Sequence, residues 1–166
     1  IGFDLTYLDV DNNGLIDLNE LKNSIKTETI LVSILWVNNE TGIIQDLKAI
    51  SSIVKQSNAK LFIDATQAVG KIDVNLNKIH IDMLCFSGHK FHGPKGIGVL
   101  YIKDGIKLSP LIMGGGQEKG LRSGTINVPG IIGLSKACEL IKLAQVDIKA
   151  ISNYTESSLI EIFNCN

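Results

Sequence analysis

The chain has 166 residues and a formal net charge of −1 at pH 7. That near-neutral balance gives no basic footprint for nucleic acid or an anionic membrane surface, and no apolar run is long enough to span a bilayer. The length suffices for one domain with its own core.

Cys85, Cys138 and Cys165 are widely scattered and form no CxxC pair and no metal spacing. Such usage fits a reducing compartment; the expected location is the cytoplasm or an organellar matrix, the cytoplasm being preferred.

The first stretch with a motif is Asp9 to Glu20, which follows a short extended piece, Leu5 to Leu8. Asp9, Asp11, Asn13, Asp17 and Glu20, with Gly14 at the sharp turn, match the ligand positions of an EF-hand loop. Calcium binding is therefore one reading. Against it, Gly2 to Tyr7 is a poor entering helix, and no second copy exists for pairing. The other reading makes Asn12-Asn13-Gly14 a turn and Asp17 the cap of a helix over Leu18 to Ile25.

Thr29 to Trp36 is rich in Ile, Leu and Val and predicts a buried strand. It delivers Val37-Asn38-Asn39-Glu40 at its C-terminal end. Asp46 reads as an N-cap, and Leu47, Ile50, Ile53 and Val54 form an apolar helical stripe. A second strand, Lys60 to Asp64, ends in an acid. The order strand, helix, strand predicts parallel pairing with a right-handed crossover. An aspartate at such a strand end lies where open α/β sheets bind ligands. It suits pyridoxal phosphate (PLP), whose pyridine nitrogen needs an anion beside it. Gln67, three residues on, is within reach of the cofactor's phenolic oxygen.

Ala65 to Gly70 predicts a short helical turn, and Val74 to Ile79 a connection. The apolar run Ile81 to Phe86 then reads as a strand leading into Ser87-Gly88-His89-Lys90, and Gly93-Pro94-Lys95-Gly96 turns the chain into another strand, Ile97 to Ile102. A lysine amine forms Schiff bases with carbonyl compounds, PLP included. Its neighbours suit a phosphate: a Ser87 hydroxyl, a Gly88 backbone N–H and a His89 imidazole. Taken alone, the stretch reads equally as a turn with an exposed lysine. With Asp64 and Gln67 upstream, it becomes a constellation. His89 and His92 have no nearby carboxylate or thiolate cluster, so non-metal roles are preferred.

Met113 to Gly120 is glycine-rich but lacks the Gly-Lys-Ser/Thr ending of a P-loop. Arg122-Ser123-Gly124-Thr125 follows, then an amphipathic helix over Pro129 to Leu143 and a further helix over Ile148 to Phe163.

Four of these stretches together carry a resemblance. Val37 to Gly42, Asp64 to Gln67, Ser87 to Lys90 and Arg122 to Thr125 resemble the motif series of the cysteine desulfurases. Those are fold-type-I PLP enzymes of the class V aminotransferase group. The wording from His89 to Gly98 resembles the NifS/IscS type more than the SufS type. The resemblance covers nearly the whole chain and also runs through the EF-hand-like stretch.

It implies an α/β fold, part of the PLP-binding major domain, with a mostly parallel mixed sheet and flanking helices. The helices over about 129–163 would lead toward a small domain. Lys90 would be the catalytic, cofactor-holding lysine. Asn39, Asp64, Gln67, Ser87, Gly88 and His89 would bind the cofactor, and Thr125 would reach the phosphate in the other subunit of a homodimer. The implied reaction converts L-cysteine to L-alanine and passes sulfur as a persulfide to an iron–sulfur scaffold or other acceptor. No cysteine here matches the family's catalytic thiol, so the 166 residues alone are expected not to release sulfide. Alternatives are a selenocysteine lyase or another class V enzyme, a non-catalytic remnant or binding module, and the calcium reading.

Overall fold

The computed structural model describes residues 2–142 and Asn153. The helix expected over Ile148 to Phe163 lies outside these residues except for Asn153, as does Cys165.

Four strands form one sheet in the order β1 (Leu31–Leu35), β2 (Lys60–Asp64), β3 (Met83–Ser87) and β4 (Gly98–Ile102). The first three run parallel, and β4 returns antiparallel beside β3. This is the mostly parallel mixed sheet that the resemblance implies. The crossover from β1 to β2 carries helix α2 (Leu47–Val54), whose N-terminus Asp46 caps by accepting from the Ala49 N–H at 3.1 Å.

The core lies on one face of the sheet. Val32 and Ile34 of β1, Leu61 and Ile63 of β2, and Leu84 of β3 pack with Leu47, Ile50 and Val54 of α2 and Leu21 of α1 (Leu18–Ser24). Here one expectation needs correcting. β1 is not buried on both faces: it alternates, with Leu31 46 % and Leu35 37 % exposed. Both helices sit on the Val32–Ile34 side, and among the described residues the opposite side of this edge strand has no such cover.

The stretch from Asp9 to Glu20 folds as a turn followed by a helix cap. Asp11 accepts the N–H groups of Asn13 and Leu15 at 2.8 and 2.9 Å, and Val10 bridges Ile16. Those two bonds hold the Asp11 carboxyl below the usual carboxylate range, Leu15 having the larger effect. Asp17 accepts from Asn19 and Glu20 and so starts α1. Gln45 pins the turn from behind, donating to the Gly14 carbonyl at 2.8 Å and accepting from the Ile16 N–H at 3.1 Å. Residues 2–9 form no helix, so an EF-hand's entering helix is not there.

A third helix, α3, is described over 128–142. Asn127 caps it, accepting the Gly130 N–H at 3.1 Å. Its buried residues Leu134 and Ala137 join Phe91 in a second apolar cluster, with Val69, Phe86, Ile97, Cys138 and Ile141 around it. The Phe86 and Phe91 rings meet at 5.8 Å, tilted by 53°. This cluster lies directly behind the turn that carries Lys90. No described helix is long and apolar enough to cross a membrane.

Candidate active site

The candidate residues other than Thr125 collect at the C-terminal ends of β1, β2 and β3, the ligand-binding edge of a parallel α/β sheet. Each is delivered by a different local device.

After β1, the Asn38 side chain accepts the N–H groups of Glu40 and Thr41, both at 2.9 Å. This Asx-type turn occupies Asn38 and leaves the adjacent Asn39 exposed at the strand end.

Asp64 is the last residue of β2, half-buried and in register with Leu35 on one side and Cys85 on the other. Its Oδ1 accepts the Thr66 N–H at 2.9 Å, which fixes the carboxylate and leaves Oδ2 for another partner. Its charge acts on the neighbouring thiol: burial first, and the Asp64 carboxylate second, push Cys85 above the ordinary cysteine range.

The chain then winds through a tight turn, with Ala68 and Val69 both donating to the Ala65 carbonyl. Gln67 sits in this turn, half-buried. Its Oε1 accepts from the Lys71 ammonium, one helical turn later.

β3 ends at Ser87, and Gly88–Phe91 forms a single 3₁₀ turn. The turn closes hard on Gly88, whose carbonyl accepts from both His92 and Gly93. His89 and Lys90 stand exposed on its crest, while Phe91 is buried beneath. Gly88 differs from the expectation that its backbone N–H faces a phosphate. Its N–H donates to the Ile97 carbonyl at 3.0 Å and is therefore not offered to a phosphate. Glycine is needed for space: a Cβ there would lie 2.9 Å from Leu134 Cδ1 and 3.2 Å from Ile97 Cγ2. His92 takes the left-handed conformation that ends the turn, at φ 67°. It does so without joining a metal cluster, since no three potential ligands converge among the described residues.

Among the described residues, no hydrogen bond brings Thr125 to this edge. It is exposed on the loop before α3, and its hydroxyl has no hydrogen-bond partner among the described residues. The loop itself is fixed, since Ser123 Oγ donates to the Gly115 carbonyl at 2.6 Å and the Gly124 N–H donates to Gln117 Oε1 at 3.1 Å.

Neither described cysteine has the setting of a reactive thiol. Cys85 is inside β3, and Cys138 lies against the Phe91 cluster, where burial raises its thiol as well. Reactive thiols are lowered, not raised.

Sequence reasoning missed the part that Lys71 plays. The signal was present as Gln67 and Lys71 four apart in a helical turn, a spacing at which side chains meet.

Comparison with known proteins agrees with this geometry. A family model described as Aminotransferase class-V matches residues 1–162. A cysteine desulfurase IscS of Methanosarcina thermophila is 50 % identical over 139 residues, which cover 84 % of this chain and 34 % of that relative. A solved NifS-like protein superposes with a TM-score of 0.93 at 43 % identity, over 98 % of this chain and 46 % of the other. A structure described as SspA in complex with cysteine gives 0.81 at 44 % identity, over 83 % and 40 %. The chain thus spans about a third of the length of the first of these relatives. With the strand-end acid, the strand-end lysine turn and a family match over nearly all of its length, the chain belongs to the aminotransferase class-V family.

Proposed function

We propose that this chain is the larger part of the cofactor-binding domain of a PLP-dependent cysteine desulfurase. The observation that carries the reading is the pairing of β2 with β3, which sets Asp64 beside the strand that leads into Lys90. The names of the relatives support the same activity.

The residues present fit PLP. Asp64 offers an anchored carboxylate with one uncommitted oxygen. Ser87 and His89 offer donors beside the lysine, and Lys90 is exposed on its turn. When bound, PLP supplies an electron sink for charge developing at the substrate's α-carbon.

The chain's own groups then have defined tasks. Lys90 holds the cofactor carbonyl through its amine and moves the proton at the substrate α-carbon. The Asp64 carboxylate keeps a proton on the pyridine nitrogen by favouring its charged form. Gln67 donates to the phenolic oxygen. Ser87 and His89 donate to the phosphate, and Asn39 orients the ring or substrate. Gly88 contributes by letting the lysine turn lie close against α3. Thr125, whose hydroxyl has no hydrogen-bond partner among the described residues, serves the phosphate in the second copy of a homodimer.

The substrate is L-cysteine. Its C–S bond breaks, L-alanine leaves, and the sulfur passes to a protein thiol as a persulfide for an iron–sulfur scaffold or another acceptor. Cys85 and Cys138 are not proposed as that thiol: Cys85 lies within β3, Cys138 packs half-buried against the Phe91 cluster, and partial burial raises both thiols.

Borohydride reduction of the PLP-loaded protein followed by peptide mapping tests the reading. A pyridoxyl group on Lys90 is the expected result. One on Lys71 or Lys95, with Lys90 unmodified, would overturn it.

A further inference from the structure

Lys71 lies beside the lysine turn, close enough to feel the charge of Lys90. Gly70, just before it, adopts φ +84°, and a Cβ placed there would fall 2.9 Å from Phe91 Cβ and against Ile141 Cδ1. The backbone at Gly70 is thus pressed onto the turn that displays Lys90. Lys71 is tied down in turn, its N–H donating to the Ala68 carbonyl at 3.0 Å. Its ammonium is held below the ordinary lysine range by partial burial and then by the positive charge of Lys90. Among the described residues it has no carboxylate partner. What it has is the side-chain carbonyl of Gln67.

That contact has a chemical consequence. An ammonium only donates, whereas a glutamine amide both donates and accepts. The bond therefore decides which way the amide faces: Oε1 is taken by Lys71, and Nε2 is left as the donor. We infer that Lys71 is a positioning residue, which locks Gln67 so that it presents N–H, never C=O, to an anionic oxygen of the ligand. The inference rests on the PLP reading above, in which that oxygen is the phenolic one. A freely rotating Gln67 would present its carbonyl to that anion in part of the population.

The test is a PLP titration of the full 166-residue chain, read by the visible absorption of bound cofactor, for wild type, Lys71→Ala, Lys71→Arg, Gln67→Ala and the Lys71→Ala/Gln67→Ala double variant. Losing a hydrogen bond to a charged group is expected to weaken binding about ten-fold or more. Lys71→Ala and Gln67→Ala should weaken PLP to a similar extent and shift the absorption band alike. Lys71→Arg, also a pure donor, should retain the wild-type spectrum. In the Gln67→Ala background, removing Lys71 should change affinity by no more than about two-fold, because the two act as one unit.

Equal affinity for Lys71→Ala and wild type would overturn the inference. So would losses that multiply in the double variant, because Lys71 would then be acting as a plain charge. Failure of wild type to bind PLP would overturn the cofactor reading itself, and is distinguishable because it appears before any variant is compared.

Discussion

Asp64 and Cys85 are register partners on the parallel strands β2 and β3, and the carboxylate helps to hold the thiol in its protonated form. The proposed pyridinium partner can thus be probed through a neighbour that takes no part in the chemistry. Asp64→Asn keeps an oxygen for the Thr66 N–H but removes the charge. Cys85 should then be alkylated faster at a fixed mildly alkaline pH, by between about two- and ten-fold, since burial, the larger cause, remains. Mass spectrometry of the cofactor-free protein reads this directly. An unchanged or slower rate would mean that the two side chains do not sense each other.

Gly88 and Gly133 hold the lysine turn and α3 together. A Cβ at Gly88 would meet Leu134 Cδ1 at 2.9 Å, and one at Gly133 would meet Pro94 Cγ at 2.5 Å. Each Gly→Ala change is expected to cost about 1–3 kcal/mol by overpacking. For Gly133 this reverses the gain of about 1 kcal/mol that alanine brings to an ordinary helix interior. Denaturant unfolding measures both. Leu134→Ala should relieve part of the Gly88→Ala loss, whereas strict additivity would place the clash elsewhere.

The two aspartates at either side of the first turn should separate cleanly. Asp17 caps α1, so Asp17→Ala should lose about 1 kcal/mol. Asp9 is exposed and accepts no hydrogen bond among the described residues, so Asp9→Ala should be nearly neutral. Both are measured by equilibrium unfolding with and without calcium chloride. A calcium-dependent stability lost in both variants would restore the EF-hand reading.

Asp11 gives a pH signature. Hydrogen bonds from Leu15 and Asn13 lower its folded pKa. A carboxyl depressed in the folded state stabilises the turn above its unfolded pKa, near 3.9, and that contribution fades as pH falls through the lower folded value. The Asn13 and Leu15 amide resonances should therefore titrate together in acid, below the usual carboxylate midpoint. Asp11→Asn should abolish the titration. Midpoints at or above the usual value would contradict the bonding pattern.

What the sequence determined by itself is what local chemistry controls. Asp46 and Asp17 announce their helices because a cap bonds only to the next few N–H groups. β2 runs from Lys60 to Asp64 as its apolar run predicts, and the strand–helix–strand order predicts the parallel pairing. The motif series placed Asp64 and Ser87 at strand ends, with Lys90 on the turn just beyond, without any need of coordinates. Tertiary structure decided the rest, because each remaining point depends on contacts between residues distant in the chain. The exposed face of β1 follows from both helices choosing the other side of the sheet. The Gly88 N–H is consumed by Ile97, nine residues on, and its missing side chain makes room for Leu134, which arrives on α3. The i, i+4 spacing of Gln67 and Lys71 was legible, but Lys71 comes to lie beside the lysine turn only through Gly70 resting on Phe91, a contact for which no local pattern gives a sign.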